Sequence, residues 1–389
     1  MRVIRIEQKA DWQKFHAVPR LIYQGDPNYI APLESDVENV FNPQKNRSFN
    51  HGDAQCFVLE DASGNPLGRI AAFIDHLRNE SNEYPIGGLG FFECVDDLEA
   101  AKHLFEAAHN YLKKWDVKAI DGPINFGERD KFWGLLVEGE APPLYRENYH
   151  PAYYQAFFQA MGYRPYEQIL TFHGKVIDVP IKRFSSIAER VSKRYGLYTK
   201  KLCESNTDTF AQHFAQVYNL AFKDNPYFKP IQKEVIQKMF KQMRQILDDK
   251  MIAITYQDDR PVAFVGFIPD INPFLRGFRG KLNFLRTPVF LWRLKSTRKH
   301  LLKGIAFGID PAYQRLGAFA VLINDCYTQH TLKRYSDFYL ATIRGHNTVM
   351  IKSIENLGVK TQRVHLAFRK MMDPGLPLSP FEFSEAHSS

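Results

Sequence analysis

The hydrophobic positions in the second half of the chain follow two different periods. Between residues 207 and 247, apolar side chains return every three or four positions, which predicts two amphipathic helices. Beyond residue 251, short apolar runs alternate with polar turns. They predict strands at "IAITYQ", "VAFVGFIPD", "LKGIAFGI", "DFYLATI" and "RVHLAF", with one helix after the third of these and another before the last. This order of elements predicts an α/β (α+β) chain.

The first half of the chain repeats part of this plan. Each half contains a strand, a polar turn and a second strand, followed later by a short helix, a glycine and a strand. The offset between the halves is 195 residues from Pro66 to Pro261 and 196 residues from Gly162 to Gly358. We therefore predict two tandem domains. Their limits are 1–178 and 195–375, with a linker region at 179–194 and a C-terminal tail at 376–389.

Composition narrows the choice of function. Residues 271–309 hold nine of the 51 Lys and Arg residues and none of the 43 Asp and Glu residues, so the net charge of +8 has a local origin. The four cysteines are scattered without metal-type spacing, which indicates reduced thiols and predicts no metal site. The N-terminus has no apolar leader, and no apolar run is long enough for a membrane span. We expect a cytoplasmic protein.

The stretch "GIDPAYQRLGAFAVL" (308–322) carries the first functional signal. A strand runs into a glycine-containing loop and then into a helix. A helix N-terminus has unpaired N–H groups and a partial positive charge, so it can bind a pyrophosphate. Gln314 and Arg315 add side-chain donors, and Gly317 permits a close approach of the backbone. An ordinary turn before a packed helix is the alternative.

The matching loop of the first half has the opposite charge. Asp96, Asp97 and Glu99 lie where the phosphates would bind. Carboxylates repel a phosphate at close range, but they are good helix caps. We expect this half to keep the fold and to lack the ligand.

Two blocks of the second half together resemble the GCN5-related N-acetyltransferase (GNAT) superfamily over residues 195–372. The first is Gln-Arg-Leu-Gly-Ala-Phe at 314–319, and the second is "NTVMIKSIENLGV", which starts at Asn347. The resemblance implies two GNAT-like domains, each with a mixed, mostly antiparallel sheet flanked by helices. It also implies acetyl-CoA or acyl-CoA as co-substrate, an amine as acceptor, and no metal. The cofactor-binding positions that it implies are Ile309, Gln314, Arg315, Leu316, Gly317, Ala318, Phe319 and Asn347.

Two positions depart from the family pattern. Phe319 stands where a small residue is usual, and Ile354 replaces a tyrosine that often acts as general acid. They leave a non-catalytic GNAT-like binding or structural protein as the alternative to an acyltransferase.

A narrower resemblance concerns the acceptor. The stretches "GDPNYIAPL", "GFFECVDD", "GLLVEG" and "IPDIN" are similar to a group of bacterial tandem GNAT-like proteins that includes ceramide synthases. The resemblance implies transfer of a long acyl chain to a lipid-like, sphingoid amine. The sequence leaves the acceptor, the acyl length and the oligomeric state open.

Candidate catalytic and substrate groups lie at strand ends and in one long polar segment. Asp270 and His346 each follow a strand and are candidates for the base that deprotonates the amine. An Asx cap and a donor at a helix start are the structural alternatives. In residues 121–154, a substrate cleft between the halves is predicted to use Asn125, Glu128, Arg129 and Tyr149, and a structured insertion that packs the two halves together is the alternative.

The basic segment 271–300 interleaves Arg and Lys with Phe, Leu and Trp. Its spacing predicts one apolar side made of Phe278, Leu282, Leu285 and Val289. Three interpretations stay open: peripheral contact with an anionic membrane at its inner face, a lid over a long acyl chain and its coenzyme, or simple packing on the core. Nucleic acid is disfavoured because the charge is confined to one insertion.

Overall fold

The computed structural model describes residues 1–203, 206–223 and 230–378. These residues form thirteen strands and thirteen α-helices, besides short 3₁₀ turns. The strands are β1 (Arg2–Arg5), β2 (Gly52–Glu60), β3 (Pro66–Asp75), β4 (Ile86–Cys94), β5 (Ala119–Gly122), β6 (Leu135–Glu138), β7 (Arg164–Lys175), β8 (Tyr198–Lys201), β9 (Ile252–Gln257), β10 (Arg260–Pro269), β11 (His300–Ile309), β12 (Tyr335–Arg344) and β13 (Lys360–Met371). The helices are α1 (Lys9–Ile22), α2 (Glu34–Val40), α3 (His76–Asn79), α4 (Leu98–Leu112), α5 (Tyr154–Ala160), α6 (Ile181–Tyr195), α7 (Thr207–Phe222), α8 (Lys233–Met243), α9 (Asn272–Leu275), α10 (Arg286–Ser296), α11 (Ala318–Cys326), α12 (Gln329–Arg334) and α13 (Thr348–Glu355).

One continuous sheet runs through both halves. Its order is β1-β2-β3-β4-β5-β13-β7-β12-β11-β10-β9-β8, and β6 pairs with β13. Neighbours are antiparallel except β4 with β5 and β11 with β12. The predicted fold class is confirmed: the sheet is mixed, mostly antiparallel and flanked by helices, and the β–α–β plan occurs twice.

The two halves exchange their last strands. β7, from the first half, pairs with β12 of the second half, and β13 pairs with β5 of the first half. The predicted linker region 179–194 is mostly α6. The domain limits stay a prediction, and residues 379–389 of the predicted tail lie outside the described residues.

Helices cover both faces of the second half of the sheet. α6, α11 and α13 pack on one face in a large apolar cluster, and α7 and α8 pack on the other. The single helix expected from 318 to about 332 is divided in two, because Thr328 caps α12 with its side chain. No helix in the described part of the chain combines the length and the apolar character needed to cross a membrane.

Candidate active site

The parallel strands β11 and β12 separate at one end of the sheet. Their pairing ends at Gly304 opposite Leu340, although β11 continues to Ile309 and β12 to Arg344. Beyond the bulge near Gly304, β11 still pairs with β10 on its other side. We call the space between the diverging ends the wedge. A wedge of this kind leaves two strand edges facing each other, which can bind an extended ligand by backbone hydrogen bonds.

The loop after β11 (310–317), which we call the phosphate loop after its predicted ligand, places backbone donors at one side of the wedge. Asp310 accepts hydrogen bonds from Ala312 N (3.0 Å) and from the Arg260 guanidinium (2.8 Å), which fixes the turn. α11 then begins after Gly317 without a side-chain cap. Among the hydrogen bonds of the described residues, none uses the backbone N–H groups at 315 and 317–319. Unpaired donors at a helix start attract anions, as the sequence predicted for this loop.

The side chains of the loop divide into two groups. Gln314 and Arg315 are exposed and can reach a ligand, and Leu316 is half-buried. Ile309 and Ala318 are buried in the core of the second half. The backbone N–H groups at the start of α11 and the exposed side chains of Gln314 and Arg315 are therefore both available as donors.

Phe319 does not block this loop. Its ring lies 5.1 Å from the ring of Phe307 and 5.9 Å from that of Phe184, both edge to face. The side chain thus packs against α6 and β11, behind the loop, and contributes to the apolar cluster there.

Glycine is needed at position 317 because of the backbone conformation and the packing of α6. The sequence had instead suggested a close approach of the backbone to a phosphate. The φ of 84° at Gly317 lies in the left-handed region, which favours glycine. A Cβ at this position would lie 3.0 Å from Cγ2 of Val191 on α6. The close approach that glycine permits is thus made by α6.

The end of β12 carries a charged cluster at the same edge of the sheet. Asn347 caps α13 by accepting a hydrogen bond from Met350 N (3.1 Å). Burial lowers the pKa of His346, and Arg344 and Arg129 lower it further, whereas Glu167 opposes them. The imidazole is therefore neutral at a lower pH than usual, as a base requires. Ends of parallel strands share one edge, so His346 lies on the side of the wedge where the phosphate loop lies.

The residues predicted to line one cleft lie in two separate regions: Asn125, Glu128 and Arg129 near the end of β12, and Tyr149 near α9. Arg129 forms a two-bond pair with Glu167 (2.7 and 2.6 Å), beside Arg344. Glu128 accepts a hydrogen bond from Asn125 through its main-chain carbonyl (2.9 Å), so both belong to the loop that presents Arg129. This loop from the first half therefore reaches the end of β12 in the second half.

Tyr149 lies elsewhere, in an enclosed cavity of about 40 Å³ between the first half and α9. Its hydroxyl donates to Asp26 (2.8 Å). The same cavity is lined by Arg69 and Glu93, which sequence reasoning did not select. At the wedge, Glu167 and Arg344 were also missed, since their pairing with Arg129 depends on the exchanged strand β7.

Asp270 lies at the opposite end of β11 from the phosphate loop. It is 1% exposed and accepts hydrogen bonds from Tyr145 N (2.9 Å) and Asn272 N (3.4 Å). Burial raises the pKa of Asp270 to about 6, against the effect of the nearby Lys303 ammonium. The structure therefore brings His346 to the wedge and does not bring Asp270 there. The catalytic roles of both stay predictions.

Ile354, in the place of the usual tyrosine, is 1% exposed and is part of the apolar core. Among the described residues, no group of three or more His, Cys, Asp and Glu side chains is arranged to hold a metal ion.

Two known proteins are similar to the chain over most of its length, although no family model matches it. A protein of Caulobacter vibrioides (strain NA1000 / CB15N) called "Bacterial ceramide synthase" is 28% identical over 301 residues, which are 76% of this chain and 77% of the relative. "Protein YghO" of Escherichia coli (strain K12) is 26% identical over 373 residues, 94% of each chain.

Solved structures share the fold. A GCN5-related N-acetyltransferase from Sphaerobacter thermophilus matches with a TM-score of 0.53 and 11% identity, over 97% of this chain and 98% of that one. A tandem GNAT protein from the clavulanic acid biosynthesis pathway also gives a TM-score of 0.53 and 11% identity, over 96% and 99% of the two chains. The repeated β–α–β plan, the wedge in the second half and these likenesses over nearly the whole length show that the chain is a tandem GNAT-fold protein.

Proposed function

We propose that the chain is an acyl-CoA-dependent N-acyltransferase whose second half binds the coenzyme at the loop between β11 and α11. The observation that supports this most directly is the combination of an open wedge with an uncapped helix start. The wedge can hold the extended arm of the coenzyme along a strand edge. The N–H groups around Gly317 and the exposed Arg315 can hold its pyrophosphate.

The residues around the wedge fit direct acyl transfer. The amine attacks the thioester carbonyl, the carbonyl oxygen gains negative charge, and the thiolate leaves when the intermediate collapses. Backbone N–H groups on the free edge of β11 can stabilise that oxygen. His346, held neutral by its surroundings, accepts the proton that the amine loses. The thiolate can leave without a dedicated acid, because thiols are weak bases compared with amines.

An apolar pocket next to the wedge supports a long acyl chain. It is lined by eleven residues, including Phe267, Leu302, Ile323 and Phe338, on the face covered by α11. Leu302 and Phe338 are paired across β11 and β12, two residues before the wedge opens. A Cβ at Gly304, where the strands separate, would lie 3.4 Å from the ring of Phe267. The pocket therefore lies beside the strand positions at which the wedge opens.

A lipid-like amine is the acceptor that we propose, since one of the similar proteins is called a bacterial ceramide synthase. The test is a titration of the protein with acetyl-CoA and palmitoyl-CoA, followed by incubation with a long-chain amino alcohol and mass detection of the amide. We expect tight binding of palmitoyl-CoA and formation of the amide. Binding without transfer to any amine would favour the alternative, a non-catalytic GNAT-like binding or structural protein. If the folded protein binds neither thioester, the enzyme proposal is overturned and only the structural alternative is left.

Acyl length is tested by filling the pocket. Ile323→Phe adds volume at the wall formed by α11, where overpacking costs about 1–3 kcal/mol of stability. We expect weaker binding of palmitoyl-CoA and unchanged binding of acetyl-CoA, which serves as the control for correct folding. Equal loss of both would show that the pocket does not hold the acyl chain.

A further inference from the structure

The segment 271–300 is a rigid platform on the first half of the chain. Phe278, Phe290 and Leu294 are buried in one apolar cluster with Ile30 and Leu33. The expected single apolar side is not formed: Phe278 is buried, whereas Leu285 and Val289 are exposed, because α10 begins only at position 286 and residues 276–285 are not helical. The platform is therefore anchored by its own core.

Hydrogen bonds hold the platform in one conformation. The Asn272 amide donates to Pro143 O (2.7 Å), and the Arg293 guanidinium donates to Phe274 O (3.1 Å) and Arg276 O (2.8 Å). α10 is followed at once by the start of β11, so the platform lies at the opposite end of that strand from the phosphate loop. This position does not suit a lid over the coenzyme phosphates.

The outer side of α10 is apolar and faces solvent. Leu285, Val289 and Trp292 follow one another at spacings of four and three residues, so they share a face, opposite to Phe290 and Leu294. Phe284 precedes them. Their exposed fractions are 81% for Phe284, 67% for Leu285, 41% for Val289 and 67% for Trp292. Four large apolar side chains this exposed within nine residues indicate an interaction surface.

Basic residues flank this surface along the chain, and we call them the basic rim. Residues 271–309 carry no Asp or Glu. The exposed basic residues of the segment are Arg276, Arg279, Lys281, Lys295, Arg298 and Lys299. A partner must therefore offer both apolar volume and negative charge.

We propose that the surface formed by Phe284, Leu285, Val289 and Trp292 docks on an anionic lipid bilayer. The four side chains enter the boundary between headgroups and acyl chains, where Trp is favoured, and the basic rim binds lipid phosphates. The phosphates of a nucleic acid would bind the basic rim, but the apolar side chains would stay exposed to water. A second copy of the chain would cover the apolar face and bring two basic rims together. An anionic bilayer satisfies both features at once.

The first test is flotation of the full chain with two kinds of vesicle, pure phosphatidylcholine and phosphatidylcholine with a minority of phosphatidylglycerol. We expect binding to the second kind, weakened by high salt. The emission of Trp292 should move to shorter wavelength on binding, because the other three tryptophans are already partly buried. Neither measurement needs acyl transfer, so failure of the proposed enzyme activity leaves this test unaffected.

Two variants separate the apolar and basic contributions. Leu285→Ser with Trp292→Ser should weaken binding to both kinds of vesicle, by about ten-fold or more on the anionic kind. Lys295→Glu with Lys299→Glu should remove the preference for phosphatidylglycerol, also by about ten-fold. Leu98→Ser, at a 38% exposed position on α4, is the matched control and should bind as the parent does.

Some outcomes would overturn the proposal. They are the absence of binding to anionic vesicles, equal binding by the parent and by both double variants, and a dimer in lipid-free solution that Leu285→Ser with Trp292→Ser dissociates. The last would show that a second copy covers the surface.

Discussion

The two β-strand–loop–helix steps of the chain have the same topology and opposite chemistry. In the first half, Asp97 caps α4 by accepting hydrogen bonds from Glu99 N (2.8 Å) and Ala100 N (3.3 Å). In the second half, α11 starts at the left-handed Gly317 without a side-chain cap. The carboxylate of Asp97 thus occupies the N–H of Glu99, the second residue of α4, whose counterpart in α11, Phe319 N, has no partner among the hydrogen bonds of the described residues. A single capping residue is enough to convert an anion site into a stable helix start.

The spaces between the parallel strands differ as well. In the first half, pairing of β4 with β5 ends at Gly88 opposite Asp121, but the chain then stays on β4, since Ile124 N donates to Leu89 O (2.8 Å). Gly90 allows this, because a Cβ there would collide with the carbonyl of Ile124. The first wedge is closed by the chain itself, and the second is open. In the same fold, the space between the parallel strands is therefore filled by main chain in the first half and left open in the second.

The largest effect is expected from reversing charge at the phosphate loop. Gln314→Glu with Arg315→Glu places carboxylates where Asp96 and Asp97 lie in the other half. We expect coenzyme A affinity to fall at least about 100-fold, or about 3 kcal/mol, measured by calorimetry. Lys102→Glu on α4 with Lys113→Glu just after its end changes net charge comparably and should leave affinity unchanged. Equal loss in both would mean that only the overall charge matters.

His346→Gln tests the proposed general base, which lies at the end of the sheet where the wedge of the second half is open. If His346 accepts the proton of the amine, kcat should fall about 100-fold while acyl-CoA affinity is kept. Because the pKa of His346 is lowered, the parent enzyme should lose activity only below the usual histidine range, and the variant should lack that acidic limb. A pH profile of kcat that is unaltered in shape and size would remove His346 from the mechanism.

Asp270 follows β10 and Asp75 ends β3, the matching strand of the first half, and Asp270 is expected to make the stability of the fold depend on pH. Asp75 pairs with His51 (2.8 Å), whereas Asp270 is buried with a pKa of about 6, above the ordinary value of 3.8. The folded state therefore holds the proton of Asp270 more tightly, and the free energy of unfolding falls as pH rises from about 4 to 6, by at most about 3 kcal/mol. Asp270→Asn should abolish this fall in denaturant titrations, while Asp75→Asn should not. A large loss of kcat in Asp270→Asn would instead support its predicted role as base.

Gly317→Ala should be more harmful than the same change at a glycine with open space. Both Gly317 and Gly64 have a φ near +84°, but only Gly317 has Val191 within 4 Å of an added Cβ. We expect a loss of about 2 kcal/mol at Gly317 and about 1 kcal/mol at Gly64, visible as different shifts in Tm. Weaker binding of coenzyme A should accompany only the first, and equal Tm shifts would show that α6 yields to the added methyl group.

The smallest effect is expected from Asp97→Ala. Loss of the cap on α4 should cost about 1 kcal/mol in the free energy of unfolding. Acyl-CoA affinity and stoichiometry should not change, because the first wedge remains closed. A second binding event in the variant would mean that the carboxylate alone keeps the ligand out.

The sequence was informative where the physics is local. Helical and strand periods, the repeat, the cap at Asp97 and the donor-rich start of α11 depend on residues close together in the chain, and the structure contains each of them. Contacts across the exchanged strands could not be predicted in this way. The grouping of Arg129, Glu167 and Arg344 requires β7 to lie beside β12, and nothing in their spacing indicates that.

The sequence by itself determined that the chain has two similar halves and that only the second offers a helix start suited to phosphates. Tertiary structure decided which backbone edges stay open. It also decided that α6, rather than a ligand, approaches Gly317, and that Leu285 and Trp292 face solvent while Phe290 and Leu294 do not. The physical reason is that period and composition specify which residues can be buried, whereas the partner that buries them comes from distant parts of the chain.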